Sequence, residues 1–223
     1  MSYSRPVLAA IFDMDGLLID SEPLWEQAEM EIFTQLNVDL SKRSELPDTH
    51  GMRIDQVVQM WYATFPWEGA DRQDVIQRII ARAADLIEEH RPLLPGVEQA
   101  LQRCQAEGLK IGLASASPLF MLEKVMDMFN LRHYFEVLVS AEALPFSKPH
   151  PQVYLNAAER LGVDPLSCVT LEDSFYGMIA TKAARMRSVV IPAHQFASDP
   201  RWALADVQLA SLTALTTADL LGE

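Results

Sequence analysis

Four short polar segments of this chain sit beside apolar runs, and together they hold the groups needed to handle a phosphate. Asp13-Met14-Asp15-Gly16 follows the run 7–12, Ser115-Ala116-Ser117 follows 110–114, and Glu172-Asp173-Ser174 follows 168–171. Ser147-Lys148-Pro149-His150-Pro151 precedes a helical stretch. Asp13, Asp15, Glu172 and Asp173 crowd negative charge, which demands a cation or raised pKa values. Hard carboxylate oxygens suit Mg²⁺. Lys148 and the Ser115 hydroxyl offer positive charge and a donor to phosphoryl oxygens. The N–H groups around Ala116 and Ser117, at the start of the next helix, form a further anion seat. With the metal's charge included, such a pocket accepts a dianion. Taken singly, each segment has a plainer reading as a cap, a turn or a solvated lysine. The ordered set of four is what points to chemistry.

The elements that must position these groups are legible. The runs 7–12, 110–114, 135–139, 168–171 and 188–191 are largely apolar without alternating, as strands covered on both faces are. Helical stripes lie between them: Val97, Ala100, Leu101 and Cys104 ended by Gly108; Leu119, Leu122, Met126 and Phe129; Val153, Tyr154, Ala157, Ala158 and Leu161 ended by Gly162. Strand–helix alternation predicts an α/β fold, a Rossmann-like doubly wound parallel sheet. Ligands of such sheets sit at the carboxyl ends of the strands. Between the first strand and Arg91 the alternation breaks. Three amphipathic helices are predicted there, with Ser21 as the first N-cap and Pro23 in the first turn. The second carries Ile54, Val57, Val58, Trp61, Tyr62 and Phe65, and the third Ile76, Ile79, Ile80, Ala83 and Ile87. Their stripes need partners, so residues 20–90 are expected to form a helical bundle inserted into a core domain of 1–19 plus 91–223.

Composition limits the function classes. Among 223 residues, 18 Lys+Arg stand against 31 Asp+Glu, a net charge of −13. That balance argues against nucleic acid or an anionic membrane as partner, since both need clustered cations. Two cysteines, Cys104 and Cys168, build no disulfide framework. The apolar run 7–12 is too short for a signal or spanning segment. A cytoplasmic location is expected.

The four segments, in this order, resemble the haloacid dehalogenase superfamily of aspartate-nucleophile phosphatases along the whole chain. Asp13-Met14-Asp15-Gly16 is similar to the first family motif, Ser115 to the second, Lys148 to the third and Glu172-Asp173 to the fourth. The insertion resembles the family's helical cap of the first type. The strings from Asp13 to Trp25, Leu113 to Ser117 and Leu46 to Thr49 resemble most the bacterial 2-deoxyglucose-6-phosphate or hexitol phosphatases. The related β-phosphoglucomutases carry a histidine where this chain has Trp25, so the resemblance implies hydrolysis rather than mutase chemistry. Relatives usually have Ala-Gly-Met at Ala184-Arg185-Met186, which implies an altered helix end here.

The resemblance further implies that Asp13 attacks phosphorus and Asp15 acts as general acid, then base. Mg²⁺ would be held by Asp13, the Asp15 backbone carbonyl and Asp173, with Glu172 acting through water. Lys148 and Ser115 would bind the phosphoryl oxygens. The expected substrate is a small phosphorylated sugar or polyol, handled by a monomer. The segments 19–21 and 89–92 are the expected hinges, and the loop 45–53 the expected reader of the sugar. His50 could touch substrate or be solvated. His150 is expected to brace the Lys148 loop. A receiver-type regulatory module fits less well, because the third strand ends in Ser140-Ala141-Glu142 without an aspartate. Intact Asp13 and Asp15 argue against a binding-only relative. No Gly-rich nucleotide motif is present, and a dehalogenase would not need Asp15 or Mg²⁺.

Overall fold

In the computed structural model, residues 5–222 are described, and the expected outer bounds at 1 and 223 fall outside them. β1 (Ala9–Phe12), β2 (Lys110–Ser115), β3 (Val137–Ser140), β4 (Cys168–Glu172), β5 (Arg187–Val190) and β6 (Val207–Gln208) form one sheet, ordered β3-β2-β1-β4-β5-β6. Every pairing is parallel. The chain winds outward from β1 to one side, then returns to β4 and winds outward on the other. The crevice between β1 and β4 is therefore the switch point of a doubly wound sheet. β6 was not expected, because two residues carry no periodicity.

β1 is the central strand and is wholly buried. Its side chains alternate between two layers, as pleating requires. Ala10 and Phe12 join the core with α4 (Val97–Ala106) and α5 (Leu119–Met128), while Ala9 and Ile11 join α6 (Gln152–Leu161) and Ala180 of α7 (Phe175–Ala183). A short α8 (Thr217–Leu221) closes the chain. Phe12 lies opposite both Leu113 and Leu171. That register brings Asp13, Ser115 and Glu172 to one edge of the sheet.

Three helices lie between β1 and α4: α1 (Glu22–Gln35), α2 (Ile54–Thr64) and α3 (Arg72–His90). A 3₁₀ segment, Leu40–Glu45, joins α1 to the loop before α2. Their apolar stripes meet one another. Phe33 of α1 stacks near Trp61 of α2 and Trp67, with centroids 4.7 and 5.7 Å away. Ile79, Ile80 and Ala83 of α3 are buried with them. The two segments joining these helices to the sheet run side by side. Asp20 N donates to Pro92 O at 2.8 Å, Leu94 N donates to Leu18 O at 2.9 Å, and Ile19 pairs with Leu93. No described helix is long and apolar enough to cross a membrane.

The end of α7 corrects one expectation. The helix terminates in ordinary fashion at Ala184, but Arg185 adopts the left-handed conformation with φ 64°. A Cβ makes that conformation cost about 1–2 kcal/mol, which the extra freedom of a glycine in the unfolded chain offsets by about 0.4–1 kcal/mol. Arg185→Gly should therefore raise stability by about 0.5–1 kcal/mol, a Tm rise of about 1–4 °C by calorimetry. A lowered Tm would show that the arginine side chain contributes more than its backbone strain costs.

Candidate active site

Lys148 is the centre of the site. It is buried, and its Nζ lies 2.8 Å from Asp13 Oδ1 and 2.6 Å from Glu172 Oε1. Burial opposes its charge, but Asp13 and Glu172 outweigh that and hold its pKa above the ordinary lysine value. Glu172 is itself saturated. Its Oε1 also accepts from the Tyr154 hydroxyl, and its Oε2 accepts from Asp173 N (3.2 Å), Ser174 N (3.2 Å) and Ser174 Oγ (3.1 Å). With both oxygens taken, Glu172 acts as the fixed counter-ion of Lys148.

Asp13 and Asp173 differ from Glu172 in having oxygens to spare. Asp13 Oδ1 and Asp173 Oδ1 are buried without a hydrogen-bond partner, although Lys148 is within ionic reach of the former. Burial, with Glu172, Asp173 and Asp15 adding, pushes the Asp13 pKa well up against the pull of Lys148. Burial likewise pushes Asp173 up to about 7, with His50 opposing. Oxygens of Asp13, Glu172 and Asp173 lie within 4.8 Å of one another. Orphaned hard oxygens under mutual repulsion are what a divalent cation such as Mg²⁺ would relieve, so the residues fit that ion. Gly16 makes room for the cluster. It has φ +75°, and a Cβ there would lie 1.9 Å from Asp173 Oδ2.

Asp15 is held from two sides. From α1 and its start, Ser21 Oγ (2.7 Å) and Trp25 Nε1 (3.1 Å) donate to Oδ1. From the β2 end, Ser117 Oγ (2.7 Å) and Ser115 Oγ (3.2 Å) donate to Oδ2. Ser21 occupies the N-cap position of α1 as expected, but its side chain makes no cap bond and serves Asp15 instead. The amide of Ser117 is also not free for an anion. It donates to Ser115 Oγ at 3.0 Å, and the helix begins later, at Leu119. Ala116 lines the cavity.

The inserted helices form the other wall of a cavity of ≈ 270 Å³, opposite Asp13, Asp15, Ser115 and Lys148. His50 spans the two sides, with Nε2 2.9 Å from Asp173 Oδ2 and Nδ1 3.4 Å from Glu22. Burial would lower its pKa, but the two carboxylates prevail and raise it to about 11. Gly51, with φ +73°, lets this loop lie on Ser174, where a Cβ would come within 2.5 Å. His150 is exposed, accepts from Gln152 N at 3.3 Å and stacks on Phe146. On α1, Glu29 is buried at the cavity wall, and burial, with Glu22 and Glu26 adding and Arg43 opposing, raises its pKa to about 8.

Tyr154 and Glu29 are the site groups that sequence reasoning passed over. Tyr154 counted only as part of an apolar stripe, yet a buried hydroxyl needs a partner, and that requirement was the available signal. Glu29 gave none, because charged positions on an amphipathic helix normally face solvent.

The chain resembles known proteins in both sequence and fold. A family model described as haloacid dehalogenase-like hydrolase matches residues 10–191. Hexitol phosphatase B of Escherichia coli K12 is 65% identical over 222 residues, spanning 100% of both chains. Fructose-1-phosphate phosphatase YqaB of the same strain is 30% identical over 182 residues, 80% of this chain and 93% of its own. Among solved structures, a CbbY variant from Rhodobacter sphaeroides in complex with xylulose-(1,5)bisphosphate has a TM-score of 0.83 at 26% identity, covering 96% of this chain and 99% of that one. A β-phosphoglucomutase from Clostridium difficile shares the fold, with a TM-score of 0.80 at 23% identity over 95% and 94% of the chains.

Glu172→Gln should cost about 3–5 kcal/mol in urea unfolding, because it leaves the buried lysine under-compensated. Tyr154→Phe should cost about 1–3 kcal/mol. An unaltered midpoint in either variant would mean that the buried network contributes nothing. Glu29 sets a pH dependence. The folded chain keeps its proton up to about pH 8, whereas the unfolded chain releases it near 4.5. Stability from this group is thus present below 4.5 and lost as pH rises to about 8. Glu29→Gln should flatten that decline in unfolding free energy.

Proposed function

The chain belongs to the haloacid dehalogenase-like hydrolases, and from that premise we propose that it is a Mg²⁺-dependent phosphatase of small sugar or polyol phosphates, hexitol phosphates foremost. The observation that carries this is the buried Asp13–Lys148–Glu172 row beside an Asp15 held by four donors. The substrate class is that of the curated relative with 65% identity, named a hexitol phosphatase.

Asp13, Asp173 and the Asp15 backbone carbonyl would hold Mg²⁺, which when bound neutralises phosphoryl charge during transfer. Lys148 and Ser115 bind the phosphoryl oxygens, and Glu172 keeps Lys148 charged and aimed. An Asp13 oxygen attacks phosphorus in line. As the new O–P bond forms, the bond to the sugar oxygen breaks, and Asp15 gives that oxygen its proton. Asp15 then takes a proton from water as the water's oxygen attacks phosphorus, releasing phosphate and restoring Asp13. Asp15 must hold still through both transfers, and its four donors from two elements support that role.

Trp25 bears on the outcome. An indole N–H only donates, so Trp25 can orient Asp15 but cannot itself take or relay a proton. That supports hydrolysis over mutase chemistry. Residues 20–90 act as the cap and carry the sugar-facing wall, with the paired segments 19–21 and 89–92 as hinges. The chain acts as a monomer in this proposal.

The purified protein should release phosphate from hexitol and deoxyhexose phosphates with Mg²⁺ and cease when the metal is chelated. Asp13→Asn should lower kcat by about 10³-fold or more. No phosphate release across a broad monoester panel would sink the proposal. So would interconversion of hexose 1- and 6-phosphates that outruns hydrolysis.

A further inference from the structure

Glu29 is a buried carboxyl without a function in the scheme above. It is 8% exposed, and among the described residues it makes no hydrogen bond or ion pair. It lines the cavity that holds Asp13 and Lys148, and also an adjoining pocket bounded by Arg43, Asp48 and Trp61. Buried polar groups are normally satisfied. One that stands unpaired at a cavity wall is matched to something that enters the cavity.

Its position says what enters. Glu22, Trp25, Glu26 and Glu29 fall at i, i+3, i+4 and i+7 on α1, so they share one face, and all four line the cavity. Trp25 touches Asp15, the group beside the leaving oxygen. Glu29 is four residues further on, about 6 Å along the axis. A phosphoryl group on Lys148 would therefore place the far carbons of a six-carbon chain beside Glu29. The charge on this wall selects the chemistry of that far end. Glu22, Glu26 and Asp48 oppose a second phosphate or a carboxylate, and the cations of this wall are already met: Arg43 by Glu26, His50 by Glu22 and Asp173, and Arg53 by Asp55. Hydroxyls suit a carboxyl group in either protonation state, because they donate and accept.

Resting on the phosphatase function above, we propose that Glu29 is a specificity-determining residue that binds the far hydroxyls of the substrate, selecting a neutral polyol tail and excluding a second anionic group. Glu29→Leu should lower the ratio of kcat/KM for hexitol 6-phosphate over glycerol 3-phosphate at least tenfold. Glu29→Gln, which keeps a donor and an acceptor, should restore most of that ratio. The Tm of Glu29→Leu should rise, since an unpaired polar group gives way to an apolar one; a purely structural glutamate would show the reverse. Equal losses on both substrates, or no loss, would overturn the proposal. Binding separates its failure from that of the phosphatase function. On an Asp13→Asn background, calorimetry should show Glu29→Leu weakening hexitol 6-phosphate at least tenfold and inorganic phosphate far less. If the wild type hydrolyses nothing, the phosphatase function fails, and this binding difference still decides the role of Glu29.

Discussion

A lysine ammonium buried between two carboxylates is the constraint on which the rest of this molecule depends. Removing Lys148, Asp13 and Glu172 from water is unfavourable for each charge alone. The arrangement stands because every charge is met at 2.6–2.8 Å and because Glu172 is backed by Tyr154, two amides and a serine hydroxyl. Those partners come from α6, the β4 end and the start of α7. The sheet register is in turn required, since only the alignment of Phe12 with Leu113 and Leu171 brings Asp13, Ser115 and Glu172 to one edge.

The row is deliberately incomplete on one side. Glu172 has no spare acceptor, whereas Asp13 and Asp173 each keep a buried oxygen without a hydrogen bond. Glu172 is spent on the lysine, Asp13 meets it through one oxygen only, and Asp13 and Asp173 border the place where a cation and a phosphoryl group would sit. His50 from the inserted segment sits on Asp173, with Nε2 2.9 Å from Oδ2. The insertion thereby reaches the catalytic edge at three points: Ser21 and Trp25 on Asp15, and His50 on Asp173. The surroundings of both aspartates therefore depend on where the inserted helices sit.

Much of this was legible in the residues themselves. Largely apolar runs located five of the six strands among the described residues because burial on both faces leaves few polar positions, and β6 escaped because two residues cannot show a period. The stripes of the three inserted helices called for partners, and Phe33 of α1 meets Trp61 of α2. Asp13, Asp15, Ser115, Glu172 and Asp173 stand out in the sequence because polar groups at the ends of apolar strands contradict their surroundings, and Lys148 because it opens the turn before a helix.

What the linear chain could not express was the direction and partner of each side chain. Ser21 reads as a helix cap and is in fact a donor to Asp15; the Ser117 amide reads as an anion seat and is bonded to Ser115. Glu172 reads as an acid that reaches the metal through water, and the fold gives it Lys148 and Tyr154 as direct partners, which spacing could not show. Glu29 reads as solvated surface and is buried at the cavity wall. The physical reason is that packing sets the direction of each side chain. Strand and helix formation follows from local spacing, so sequence alone determined the elements and the chemical types at their ends. Which donor meets which acceptor depends on segments as far apart as Asp15 and Ser117 or His50 and Asp173, and only the packed tertiary structure decides those pairings.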